Sequence, residues 1–235
     1  MRFSKYLNER KGDYMAGLTL VDIDETLAKT HAKILVKDKE TGKVLHELDN
    51  QQFNSYQLKD GEEFDFGQFR NAELFRRTSI PINKTVSRIK RMIRMIKENQ
   101  RRSKIIFLTA RADFDNKQEF LQWFRDQGID IDFKSNVYVE RAGNLKSGTT
   151  EERKERIVMN YLKEGIYRRV RIIDDYMPNV KKIVDIADDV PQSIIDKVKQ
   201  NAGISEDSDE PVMEFFGLHI DEKGNLSLIE KKEVR

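Results

Sequence analysis

Two acidic pairs carry the chemistry this chain could do. Asp22 and Asp24 close the run LTLVDIDETL at residues 18–27, and Asp174 and Asp175 follow the run RVRII at 169–173. Apolar and β-branched residues lead straight into the first pair, as in a strand buried on both faces. Alternation along a strand puts Asp22 and Asp24 on one face and Ile23 on the other. Read alone, that pair could equally turn the chain and cap a helix. Three more residues change its weight. Thr109 closes a second buried run, KIIFLT at 104–109, with Arg111 just beyond, and Lys154 sits in the expected first turn of the helix before 169–174.

In an open α/β sheet, ligands bind outside the carboxyl ends of the strands, and all of these residues fall at that edge. Four carboxylates in one crevice repel one another, and a divalent ion is the simplest remedy. Oxygen ligands with no histidine or cysteine suit Mg²⁺. A metal-bound carboxylate facing a phosphate can attack it and form an aspartyl-phosphate. Asp24 can protonate the leaving oxygen and later take a proton from water. The Thr109 hydroxyl can hold phosphoryl oxygens, while Lys154 and Arg111 supply positive charge.

With DIDET at 22–26, IFLTAR at 106–111, Lys154 in TTEERK and IIDD at 172–175, the chain resembles the haloacid dehalogenase-like (HAD) phosphohydrolase superfamily over residues 17–184. The resemblance implies a Rossmann-like core. It makes Asp22 the nucleophile, Asp24 the acid/base and Thr26 a shaper of the loop. Thr109 and Lys154 hold phosphate. Mg²⁺ is held by Asp174, Asp175, Asp22 and the Asp24 carbonyl. The TAR and IDD forms, with FNSYQL and GEEFDF, are most similar to the phosphatase domain of polynucleotide kinase-phosphatases and to small phage-encoded relatives. Lys146, in a glycine-rich loop, is a rival for the lysine role. Tyr176 and Asn179 could orient the acidic pair, with helix capping the plainer role for Asn179. His31, His46 and His219 read as surface or turn residues.

Strands alternating with helices predict one α/β domain over 1–235, with a parallel sheet flanked by helices. Between 29 and 80 lies an insertion, a cap or flap. A β-hairpin is expected around DKETG at 38–42, then an aromatic and acidic stretch at 51–76 packed over the strand ends. A helix is predicted over 83–99, with Val86, Ile89, Ile93 and Ile96 on one stripe. Its other face carries Arg88, Arg91, Arg94 and Lys97, and the basic run continues through Arg101, Arg102 and Lys104. That face reads as solvated, with a nucleic-acid footprint as the sharper alternative. Further helices are predicted over 116–127, from a Thr149/Glu152 capping box, and over 178–186 and 191–202. A short strand is expected over 136–139. An acidic linker then leads to a C-terminal hairpin within 204–235.

The chain has 43 basic and 41 acidic residues, so net charge names no partner. The absence of cysteine excludes disulfides, thiolate metal sites and thiol nucleophiles, and fits a reducing, cytoplasmic setting. No apolar run approaches the roughly 18 residues a membrane span needs. The first residues lack the apolar segment of a secretory signal and could form a short amphipathic lead-in through Phe3, Tyr6 and Leu7. The expected activity is a Mg²⁺-dependent phosphomonoesterase acting on a nucleic-acid 3′-phosphate end or a nucleotide. The alternatives are a phosphatase of a small phosphorylated metabolite, and a non-catalytic phage accessory protein that keeps the fold.

Overall fold

A computed structural model describes residues 16–98 and 102–235. The lead-in at Phe3, Tyr6 and Leu7, and Arg101 of the basic run, lie outside the described residues. In chain order the strands are β1 (Ala16–Val21), β2 (Ala28–Lys29), β3 (Ile34–Asp38), β4 (Val44–Leu48), β5 (Glu62–Asp65), β6 (Ile80–Pro81), β7 (Lys104–Thr109), β8 (Val137–Arg141), β9 (Tyr167–Asp174), β10 (Met213–Ile220) and β11 (Leu226–Val234). The helices are α1 (Asn50–Ser55), α2 (Gly67–Arg70), α3 (Ala72–Thr78), α4 (Asn83–Glu98), α5 (Lys117–Asp126), α6 (Thr150–Leu162), α7 (Met177–Asp185) and α8 (Gln192–Ala202).

The main sheet has six strands in the order β11-β10-β9-β1-β7-β8. All its neighbours pair in parallel except β10 and β11. This is a Rossmann-like α/β arrangement with β1 inside the sheet. Alternation sorts its side chains between two helical layers. Leu18, Leu20, Ile106, Leu108, Val170 and Ile172 pack with Val158 and Leu162 of α6, Val180 and Val184 of α7 and Val198 of α8. Val21, Ile105, Phe107 and Ile173 pack on the other face with Ile89 and Ile93 of α4 and Phe120, Trp123 and Phe124 of α5. The strands read as near-continuous apolar runs because both faces are covered. α7 lies close on β10 at Gly217, where a Cβ would come within 2.7 Å of Val180 Cγ1.

Several boundaries differ from the sequence reading. The C-terminal hairpin does not stand apart: β10 joins β9 in parallel, from Glu214↔Arg169 to His219↔Asp174. Its apolar run MEFFGLHI needs a buried place, and the sheet edge supplies one. The strand expected at 136–139 is Val137–Arg141 and runs level with the end of β7, with Arg141 opposite Thr109. The stretch at 51–76, for which no elements are predicted, holds a strand and helices. Its β5 pairs with β3 to make the hairpin a three-stranded sheet, β4-β3-β5. Its α3 sends Ala72 and Phe75 into the main core, with the Phe75 ring against Phe114, Phe120 and Trp123. At the base of the insertion β2 and β6 form a two-residue ribbon, with Lys29 opposite Ile80. On α4, Lys84 donates to Asn225 Oδ1 at 2.7 Å and Arg88 to the Gly224 carbonyl at 2.6 Å. Those two cations hold the C-terminal turn, while Arg91, Arg94 and Lys97 are exposed. Among the described residues, no helix is long and apolar enough to cross a membrane.

Candidate active site

The parallel ladder delivers the acids to one edge. β1 ends at Val21, and Asp22 N–H extends the pairing by donating to the Ile173 carbonyl at 2.9 Å. Ile23 is fully buried in the core, which fixes the turn that follows. The turn puts Glu25 at φ 57°, in the left-handed region that few side chains favour. Such a residue persists only where its surroundings hold it. Here Glu25 N–H donates to the Ala28 carbonyl and Glu25 Oε1 accepts from Thr30 N–H. The turn points Thr26 inward. Its hydroxyl donates to Asp175 Oδ1 at 2.9 Å and accepts from Asp175 N–H at 3.0 Å. Thr26 therefore joins the β1 loop to the β9 loop.

Lys154 lies one turn deeper in its helix than expected. The Thr149/Glu152 capping box starts α6 at Thr150, which leaves Lys154 in the second turn. Helical side chains lean towards the N-terminus, so from there the lysine reaches back over the first turn to the strand ends. Its buried Nζ donates to Asp22 Oδ1 at 2.7 Å and to Asp174 Oδ2 at 2.8 Å. Lys146 is exposed in the loop after β8. Asn179 is buried within the first turn of α7 and, in place of the capping role, its amide donates to both Asp174 oxygens, at 3.2 and 3.0 Å. Tyr176 contributes its N–H to Asp174 Oδ1 at 2.9 Å, while its ring is exposed.

Arg111 is not turned to open space. It grips Asp24 with two nitrogens, Nε to Oδ2 at 3.0 Å and Nη2 to Oδ1 at 2.6 Å. Nη1 donates to the Phe69 carbonyl at 3.0 Å, and the guanidinium lies over the rings of Phe69, Phe75 and Phe114. Two-pronged pairing of this kind is among the stronger charge-assisted contacts. Thr30 adds a hydroxyl to Asp24 Oδ1 at 2.7 Å. Thr109 is fully buried and accepts from Arg111 N–H at 3.1 Å, which leaves its own O–H free to donate. Gly143 packs against this segment, where a Cβ would lie 2.5 Å from the Ala110 carbonyl oxygen and the Ala112 nitrogen. No side chain fits there without moving Arg111.

Asp22, Asp174 and Asp175 each offer a carboxylate oxygen within 4.8 Å of the others, a group that could hold a metal ion. Asp24 stands outside it, its carboxylate taken by Arg111. The charges fit a divalent ion. Four carboxylates, Asp22, Asp24, Asp174 and Asp175, face two cations, Lys154 and Arg111, so two negative charges are in excess. The acids register that excess. Burial pushes Asp22 well above the usual carboxylate range, and Asp174 and Asp175 add to the effect against the pull of Lys154. Burial works the same way on Asp24, but Arg111 and Thr30 outweigh it and hold that carboxyl below its ordinary value. Lys154 is raised because Asp174 and Asp22 overcome its own burial.

Asp175 is pushed up to about 7, by burial first and by Asp174 second. A carboxyl that ionises near 4 in the unfolded chain then binds its proton more tightly when folded. Without a divalent ion, stability should be greatest below about pH 4 for this group and fall as pH rises towards about 7. A bound cation needs the ionised form and should offset the loss. Urea midpoints in EDTA are expected to decline across that window, with Mg²⁺ adding more stability at the alkaline end than at the acid end. Midpoints that rise with pH in EDTA would contradict this.

Four contributors were not singled out from the sequence: Thr30, Phe69, Gly143 and His219. The first three come from turns and from the insertion, where no period marks them. His219 is a correction. It is neither a turn residue nor remote from the acids, because β10 sets it opposite Asp174 with Nε2 2.9 Å from the Asp175 carbonyl oxygen. The eight-residue apolar run it belongs to was the available signal. His31 and His46 are exposed.

No protein-family model matches the chain, and no curated protein matches it in sequence. Fold and site therefore define its class: an α/β protein whose mostly parallel sheet carries, at the carboxyl ends of its strands, an acidic triad able to hold a metal ion.

Proposed function

We propose that this chain is a Mg²⁺-dependent phosphomonoesterase of the HAD type, working through an aspartyl-phosphate on Asp22. The observation that carries the reading is Lys154, whose buried ammonium joins the β1 acid to the β9 acid beside a third carboxylate. Asp22, Asp174 and Asp175 would hold Mg²⁺. When bound, the ion would shield the charge between phosphate and carboxylate and favour an all-oxygen site.

The residues themselves divide the work. Lys154 fixes Asp22 Oδ1 and leaves the second oxygen to attack phosphorus as the P–O bond to the leaving group breaks. The Thr109 O–H and the Lys154 ammonium donate to the transferring oxygens. Asp24 is ionised by its pairing with Arg111, so it acts directly as the base that takes a proton from water in the second half-reaction. The proton for the leaving oxygen then arrives on the monoanionic ester and passes by way of Asp24. Arg111 serves here by shaping Asp24, in place of the direct phosphate contact expected from sequence.

The substrate class we favour is a nucleic-acid 3′-phosphate end or a nucleotide. The exposed Lys90, Arg91, Arg94 and Lys97 of α4 support it as a track for the polymer beyond the cleaved end, since α4 runs from the site edge towards the start of β7 and a cationic stripe tracks phosphates. A small phosphorylated metabolite is the second reading. It is favoured by how little of Asp22 and Asp24 reaches solvent, with side chains 9% and 16% exposed. The deciding experiment is a phosphatase screen with Mg²⁺ or EDTA over 3′- and 5′-phosphorylated oligonucleotides, nucleotides and sugar phosphates. We expect Mg²⁺-dependent phosphate release, strongest on the 3′-phosphorylated oligonucleotide and falling steeply with salt. No release from any substrate would overturn the proposal.

A further inference from the structure

We infer that His219 is a positioning residue for the Asp174–Asp175 loop, and that the C-terminal hairpin is thereby part of the metal site. The inference rests on the metal-dependent reading above. The paired register of β9 and β10 ends at His219↔Asp174. The Asp175 carbonyl lies one residue beyond it, and the His219 side chain reaches it with Nε2 at 2.9 Å. A carbonyl oxygen only accepts, so Nε2 must carry a proton and donate.

Asp175 is then held from two sides. Thr26 binds its N–H at 3.0 Å and its Oδ1 at 2.9 Å from the β1 side, and His219 binds its carbonyl from the β10 side. The tether has a task. Asp174 and Asp175 repel each other, and Asp175 is half-buried, so an untethered loop would relax by swinging Asp175 towards water. His219 opposes that swing and keeps the Asp175 oxygen in the triad before an ion arrives. Groups that orient a metal ligand in this way typically matter 10–100-fold in affinity.

The test is Mn²⁺ binding followed by electron paramagnetic resonance without substrate, on wild type, His219→Gln and His219→Phe. Glutamine keeps an N–H near the Nε2 position, and phenylalanine keeps the ring volume but has no donor. His219→Phe should weaken Mn²⁺ binding by about 10–100-fold with little change in Tm, and His219→Gln should stay near wild type. A merely structural role would lower Tm and leave Mn²⁺ affinity unchanged. Equal affinity in wild type and His219→Phe sinks this inference alone. A wild type that binds no Mn²⁺ removes the metal reading and the inference with it. Should His219→Phe fail to fold, nitrogen-15 NMR of the wild-type imidazole decides: a proton on Nε2 supports the tether, and a proton on Nδ1 alone overturns it.

Discussion

Replacing Asp22 with asparagine is expected to cost at least about a thousandfold in turnover of an aryl phosphate with Mg²⁺. The substitution is nearly isosteric. Asparagine Oδ1 still accepts from Lys154, whose second partner, Asp174, is untouched. It also removes one negative charge from a cluster that carries an excess, and burial already presses Asp22 towards its neutral form. The folded state should therefore be no less stable, and the melting temperature should hold or rise. Activity should vanish because an amide oxygen does not form a lasting bond to phosphorus. Rapid quenching of the wild type should trap alkali-labile phosphate on the protein, and none should appear on Asp22→Asn. Full turnover in the variant would remove the nucleophile from Asp22.

Lys154→Met tests the other half of the pair. Methionine fills much the same volume, but Asp22 and Asp174 then face each other in a buried space without the ammonium. Removing one partner of a buried ion pair leaves an uncompensated charge and typically costs about 3–5 kcal/mol. In EDTA the variant should unfold at much lower urea than wild type. Mg²⁺ should restore more stability to the variant than it adds to the wild type, since the ion becomes the main positive charge between those acids. Phosphatase activity should stay low even when Mg²⁺ restores the fold, because nothing then orients Asp22. A variant as stable as wild type in EDTA would show that the lysine does not neutralise the acids.

Much of this site could be read from the chain because its residues sit where periodic structure meets a turn. A buried strand announces itself by composition, and whatever follows it lands at the sheet edge. Asp22, Thr109 and Asp174 were legible for that reason. Lys154 was legible through a capping box that dates the start of its helix. Arg111 was found, but its pairing with Asp24 was not. Its position shows that it reaches the edge, and only the packed Phe69, Phe75 and Phe114 rings show that it turns onto Asp24. Asn179, five residues from Asp174, was within reach of sequence reasoning, whereas His219 needed tertiary register, since it depends on β10 joining the main sheet. The stretch at 51–76 hid its structure because its elements are short. Four residues of β5 and four of α2 are too few for either period to show.

The ribbon of Lys29 and Ile80 has a mechanical meaning. It brings the two ends of the insertion side by side, while Ala72 and Phe75 of α3 anchor the second half of the insertion in the main core. On one side of that ribbon Thr30 holds Asp24 directly. On the other, Phe69 holds Arg111, which holds the same carboxylate. The insertion thus grips the Asp24 carboxylate through two handles of different length. On the mechanism proposed above, a substrate that displaced Thr30 or Phe69 would change the basicity of Asp24, so shape recognition at a distance and proton transfer at the centre would be geared together.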